Sequence, residues 1–468
     1  MPSIRNNFFF KALLTISSYI ISFATFPYIS RVLGVEGIGL VDFVDNTVSY
    51  FLLFATMGVV NLGTREIAMV KRDPKKMSRV FSNILGLNIT FTVIVLIIFF
   101  GSIALVPRFS QNIELFSIGA AKIIATVFLV EWFFTGLENF RYITVRSLLV
   151  KLLYVVAVYI FINDTSDYKL YFGLTVATVV INALINILYA SRFVKINKDA
   201  LFSMRYLKEN VTLGLYGIMT SMYITFNVMY LGLVSNNTQV GYYTTAFKLY
   251  MILLGLFSAF TSVTMPRIST MLSEGNNKGF RELIDKSFDG IIRFIIPFVM
   301  SGVILAPQII RVISGIGFEG SVLPMQIILP AAIMVGMAQI LSIQILIPMK
   351  RDKVLLVASI IGAIVSLIIN MIFVPRLQAV GSAIVTLVSE SVVTITYLYY
   401  VMRKRFAKLP LRSIITNILY ALPTAIVCLI CSYTIENPFL CLITSVVIGG
   451  GIWIVLNFKT LKGYLLRS

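Results

Sequence analysis

The side chains of this chain that can do chemistry are few, and their positions set them apart. Arg31, Asp42, Asp45, Arg65, Lys122, Glu131, Lys248, Arg267 and Glu390 all fall inside or at the ends of long apolar runs. A charge placed in hydrocarbon costs a few kcal/mol, so it faces protein or a wet cavity, and such residues commonly mark substrate or ion pathways. Glu390 is the deepest, about 15 Å into its run at a rise of 1.5 Å per residue. Asp42 and Asp45 are spaced to share one helix face, and Asn46 joins them there. Plainer roles exist for each. Lys122 and Lys248 can snorkel to an interface. Glu390 can be a hydrogen-bond partner between helices, Arg65 and Arg267 can be orientation anchors, and Arg31 can be an interfacial loop residue.

Other chemistry is excluded by what the chain lacks. It has no histidine, which removes imidazole acid–base catalysis and the commonest metal ligand. There is no G-x-x-x-x-G-K-[ST] loop and no G-x-S-x-G elbow. Cys428, Cys431 and Cys441 all lie in the last helical hairpin and read as small apolar filler rather than redox or metal chemistry. The sequence therefore predicts neither an enzyme nor a metal site.

The elements that must position these charges are membrane helices. The 468 residues are 58% hydrophobic and 13% charged, against about 25% charged in an ordinary soluble protein. Mean hydropathy is +0.92. Continuous apolar runs of about 20 residues recur throughout, which predicts an all-α integral membrane protein and excludes an alternating strand barrel. The runs number about fourteen, the first at 10–30, the second at 39–60 and the last two at 414–435 and 438–457. The net charge of +19 does not point to nucleic acid, because Lys and Arg concentrate in the loops on one side. Lys71, Arg72, Lys75, Lys76 and Arg79, then Arg141 and Arg146, then Arg192, Lys195, Lys198, Arg205 and Lys208 begin the series. The opposite loops carry little beyond Arg31, Arg108, Lys169, Arg311 and Arg376. The basic side is expected to be cytoplasmic, with both termini inside. Two longer basic-side loops, Ala200–Asn210 and Ser273–Phe288, read as surface amphipathic helices facing anionic headgroups.

The chain repeats itself. R-V-L-G-V-E-G-I-G-L-V-D-F, an apolar run and N-L-G-T-R-E return as N-N-T-Q-V-G-Y-Y-T-T-A-F-K, an apolar run and M-P-R. Gly39 maps to Gly241 and Arg65 to Arg267 at one constant spacing, and Asn46 maps to Lys248. L-V-P-R-F at 105–109 is echoed by L-A-P-Q-I at 305–309. A repeat of six spans keeps its orientation and predicts two like bundles around a central cavity. The expected organisation is a bundle at 1–198, an amphipathic linker at 199–210, a second bundle at 211–405 and an added hairpin at 406–468. On this symmetry, Asp45 and Lys248 are expected to approach each other across the upper cavity in at least one state.

These motifs, together with N-L-G-T-R-E-I-A at 61–68, M-P-R-I-S at 265–269 and A-V-G-S-A-I-V-T at 379–386, resemble bacterial polysaccharide-biosynthesis flippases for O-antigen and capsule units. Those proteins belong to the multidrug/oligosaccharidyl-lipid/polysaccharide exporter superfamily. The resemblance implies alternating access and export of a lipid-linked glycan across a bacterial cytoplasmic membrane. Membrane lipids and a glycan polymerase or assembly machinery are the partners it implies. It casts Arg31, Arg65, Lys122, Lys248 and Arg267 as partners of an undecaprenyl-pyrophosphate carrier. It casts Asp42, Asp45, Glu131 and Glu390 as groups for H+ or Na+ coupling, with no bound cofactor. An ion-coupled multidrug exporter of the same superfamily is the rival reading.

Overall fold

The computed structural model describes residues 4–201, 203–407 and 410–465, and every regular element among them is helical. The chain forms two compact units, 1–240 and 241–468. The first begins with α1 (Ile4–Thr56), α2 (Val59–Val70), α3 (Pro74–Leu105) and α4 (Ile113–Phe128). It continues through α5 (Glu131–Gly136), α6 (Phe140–Phe161), α7 (Tyr168–Ala190) and α8 (Leu207–Val234). The helix α9 (Asn237–Ser273) leads into the second unit, followed by α10 (Asn277–Ile304). A bent pair, α11 (Val322–Ile328) and α12 (Ala331–Gln339), comes next, then α13 (Asp352–Arg403), α14 (Leu411–Thr434) and α15 (Gly450–Leu465).

Among the described residues nine helices are long and apolar enough to cross a membrane, or ten if the pair bent by 42° is one span. A helix occupies each apolar stretch read from the sequence, but several stretches are fused. The first two share α1, which breaks at Gly34 with φ 65° and ψ 176°. Glycine takes this left-handed backbone without a Cβ clash. The equivalent break in the repeat falls between Val234 and Asn237, where α8 gives way to α9. A second fusion is α13, which carries two expected spans joined at Gln378, φ 52°. Of the two expected amphipathic helices, the first is shorter than read and the second is the start of a longer helix. Residues 198–201 form one short turn of helix and 207–210 already belong to α8, while α10 runs unbroken from Asn277 into its span.

The first unit is closed by a dense apolar core at its basic end, where Phe81, Trp132, Phe133 and Phe134 are all buried. Phe81 meets Phe133 edge-on at 5.1 Å between centroids, and an edge-to-face pair of this kind adds about 1 kcal/mol beyond its buried area. The helix α8 packs on the second half of α1. A Cβ on Gly232 would lie 1.9 Å from the Phe43 ring. Small residues let apolar helices approach where lipid supplies no hydrophobic drive. The compact unit thus reaches Val240, while the linker read from the sequence ends at Asn210.

In the second unit the C-terminal hairpin is tied to α10 by buried polar groups. Arg293 donates to Asn457 and Asp289, both at 2.7 Å, and Ser413 donates to Asp289 at 2.7 Å. Cys428, Cys431 and Cys441 are free thiols packed around Leu305.

Candidate functional site

The break at Gly34 lets the second half of α1 run back through the first unit with Asp42, Asp45 and Asn46 on it. Asp45 reaches α4, where its Oδ1 meets Lys122 Nζ at 2.5 Å. The side chains are 14% exposed for Lys122 and 31% for Asp45, so the pair is shielded but not sealed. Lys122 thus finds a carboxylate within the bundle. Asn46 turns its amide back to the Asp42 carbonyl at 2.8 Å. Beside this pair stand two tyrosines. The Tyr154 hydroxyl is within hydrogen-bonding reach of Tyr171 and Thr175, and both Asp42 and Asp45 act electrostatically on Tyr171.

Below Tyr171 the polar face of α7 continues at helical spacing through Thr175, Thr178, Asn182 and Asn186. Thr178 donates to the Thr175 carbonyl at 2.7 Å, and Asn182 to the Thr178 carbonyl at 2.7 Å. Asn182 Oδ1 is buried without a protein partner among the described residues. Asn186 accepts from the Tyr142 hydroxyl at 3.0 Å and donates to the Leu129 carbonyl. Leu129 is where α4 ends. The next residue, Val130, takes a left-handed backbone at φ 36°. This breaks the helical hydrogen-bond ladder, and the Asn186 amide reaches the freed carbonyl.

Glu131 follows the break in the first turn of α5 and pairs with Arg146 of α6. Arg146 is only 4% exposed at the side chain, whereas Glu131 is 48% exposed. Arg146 also donates to Ser147 at 2.8 Å and lies over the Tyr142 ring, while its Nε and Nη1 have no partner among the described residues. One turn on, Lys151 donates to Ser18 of α1. The stripe therefore begins at one ion pair, descends through hydroxyls and amides and ends at a second. It can hold anions beside its cations and exchange protons or cations at its carboxylates.

The remaining sequence candidates lie elsewhere. Arg31 stands at the end of the first segment of α1 and donates to its own Pro27 carbonyl at 2.6 Å. Arg65 is exposed and pairs with the adjacent Glu66 at 2.9 Å. Lys248 is half-buried on α9, and Arg267 is exposed on the same helix. Glu390 is buried on α13 at 9% exposure, with its carbonyl accepting from Thr394 at 2.7 Å. The structure thus brings together Asp42, Asp45 and Lys122 at one end of the stripe and places Glu131 at the other. Sequence reasoning missed Arg146, Lys151, Tyr154 and Tyr171. Arg146 reads as a loop cation, yet it belongs to α6 and is buried. The i, i+3, i+4 run of hydroxyls and amides on α7 was the signal available for the stripe.

Known proteins resemble this chain over most of its length. A family profile described as polysaccharide biosynthesis protein matches residues 4–272. A proposed O-antigen transporter of Escherichia coli K12 is 25% identical over 403 residues, 85% of this chain and 97% of that protein. A protein of the same description from Shigella dysenteriae is 25% identical over 388 residues, 81% of this chain and 95% of its own. The fold matches the lipid II flippase MurJ in its inward closed conformation, with a TM-score of 0.78 at 15% identity, covering 98% of this chain and 99% of that one. It also matches an inward-facing multidrug resistance MATE transporter of the MOP superfamily, with a TM-score of 0.61 at 16% identity, covering 84% and 98%.

Proposed function

Because the chain belongs to the polysaccharide biosynthesis protein family, as a multi-pass membrane transporter and not an enzyme, we propose that it flips a lipid-linked glycan from the cytoplasmic to the outer leaflet. The observation that carries the reading is the stripe itself. A membrane bundle that burdens its interior with Asp45–Lys122 and Glu131–Arg146 has a use for charge there.

The substrate class is a glycan on an isoprenyl diphosphate such as undecaprenyl pyrophosphate. Its diphosphate is the group that most needs a cation away from water, and Lys122 is the candidate within the first unit. Arg31, Arg65, Lys248 and Arg267 are proposed to contribute along the path. In this structure Asp45 holds Lys122. A proton or Na+ arriving at Asp45 releases the ammonium to meet the phosphate, which couples ion entry to substrate binding. Asp42, Glu131 and Glu390 are the other carboxylates proposed for coupling. The twin bundles of the sequence repeat, walling a wet cavity opened alternately to either side, are part of this proposal. So are the cytoplasmic membrane as its location, cytoplasmic termini, and delivery to a glycan polymerase. The shared MATE fold keeps drug export as the second reading.

The test is deletion in the source cell with complementation by wild type and by Lys122→Gln. The flippase reading expects loss of surface glycan, lipid-linked units accumulating on the inner leaflet and unchanged drug resistance. Normal surface glycan together with drug sensitivity would favour the second reading and overturn the first.

A further inference from the structure

Away from the stripe, the segment joining α7 to α8 is fastened to one face of α3. Ser78 accepts from the Lys195 amide at 3.2 Å and Ser82 from the Asn197 amide at 2.8 Å. Beside Ser82, the Asn83 amide donates to the carbonyls of Ala200 at 3.0 Å and Ser203 at 2.7 Å. Gly86 completes the face, and a Cβ there would stand 1.4 Å from the Leu201 carbonyl oxygen. Residues 78, 82, 83 and 86 share a helix face because they are three and four apart. The result is a stapled segment rather than a free linker.

This stapling builds a cavity of about 260 Å³ lined by Arg79, Asn83, Asp199, Ser203, Arg205 and Tyr206, with others. Its chemistry is that of an anion site. Its lining carries the Arg79 and Arg205 guanidiniums and the Ser203 hydroxyl beside the Asp199 carboxylate, while the Tyr206 phenol also reaches Glu66 and the Asn83 N–H groups are taken up by backbone carbonyls. Neither Arg79 nor Arg205 makes an ion pair among the described residues. The exposed Arg205 lies over the ring of its neighbour Tyr206 at 5.5 Å. Asn83 is buried, and its Oδ1 has no partner among the described residues, leaving an acceptor for an O–H donor. A phosphomonoester supplies both halves, since its oxygens match arginine forks and, with a second pKa near 6, it still carries a proton part of the time at neutral pH. Lys195, Lys198 and Lys208 surround the segment and raise the local concentration of anions. The cavity lies at the basic end of α3 and α7.

We infer that this cavity binds a phosphate oxyanion that keeps a second, titratable proton, supplied by a phosphomonoester lipid headgroup at the membrane surface or by inorganic phosphate. Binding ties α3 to the segment that leads into α8. The site stands whether or not the stripe carries a substrate.

The test melts the purified full-length protein in neutral detergent with three probes: short-chain phosphatidic acid, inorganic phosphate, and phosphatidylcholine of matched chain length. Phosphatidic acid is expected to raise the midpoint, and the Arg79→Gln/Arg205→Gln variant to lower its apparent affinity at least about tenfold. Arg192→Gln, a cation on the same side but outside the cavity, is expected to behave as wild type. An equal rise with inorganic phosphate supports the site and assigns it to free phosphate, whereas a rise only with the lipid assigns it to the headgroup. Should the double variant fail to fold, Arg79→Gln and Arg205→Gln singly carry the same comparison. No rise with either phosphate probe, an equal rise with phosphatidylcholine, or an undiminished rise in the variants overturns the inference.

Discussion

At the scale of single residues, the two ion pairs of the stripe are built asymmetrically, and the asymmetry is measurable. Arg146 is buried and Glu131 half-exposed. Removing the carboxylate leaves a buried cation unpaired, whereas removing the cation leaves a carboxylate that protein only half covers. Glu131→Ala is therefore expected to cost about 2–3 kcal/mol of stability and Arg146→Met clearly less. Thermal melts of both variants in one detergent check the order, and equal losses would contradict it. At Asp73, outside the spans, the sign of a pH effect can be worked out. The backbone N–H of Lys76, with help from Lys75, holds its carboxyl below the ordinary 3.8. Its contribution to the start of α3 is thus fully present above 3.8 and lost as pH falls through the lower, folded-state value. The protection of the Lys76 amide, its exchange rate relative to the intrinsic rate at the same pH, is expected to stay constant above that range in wild type and to be lower in Asp73→Ala, the two converging as pH falls through it.

At the scale of elements, close helix approach can be separated from helix propensity. A Cβ on Gly232 would strike Phe43, whereas one on Gly101 meets nothing within 4 Å. Gly232→Ala is expected to destabilise by about 1–3 kcal/mol through overpacking. Gly101→Ala is expected to be neutral or to stabilise by up to about 1 kcal/mol through propensity. The C-terminal hairpin gives a second element-scale test. Asn457 accepts from the buried Arg293, so Asn457→Leu strands a guanidinium proton. The expected cost is about 1–3 kcal/mol, read as a lower melting midpoint.

At the scale of the whole molecule, much of the architecture was legible because membrane helices announce themselves by length and apolarity. The repeat was legible too, since the break at Gly34 and that between Val234 and Asn237 occupy equivalent places. Helix fusion was not, because a single left-handed residue such as Gln378 changes direction without changing composition. Of the candidate site, Asp42, Asp45, Lys122 and Glu131 were found because charge in an apolar run is conspicuous. Arg146 was hidden because a cation near a span end looks like an orientation signal. Tyr154 and Tyr171 were hidden because aromatic residues are common in lipid-facing positions. The Asp45–Lys122 contact within the first unit was hidden because the two charges lie far apart in sequence, on different helices.

The central claim is that Lys122 and Asp45 serve transport rather than mere folding. Its most direct test is the rate at which a diphosphate-linked isoprenyl glycan crosses the bilayer of vesicles containing the purified protein. Lys122→Gln is expected to slow crossing at least about tenfold while its melting midpoint stays near that of Gly101→Ala. Crossing at the wild-type rate by a folded Lys122→Gln protein would contradict the account.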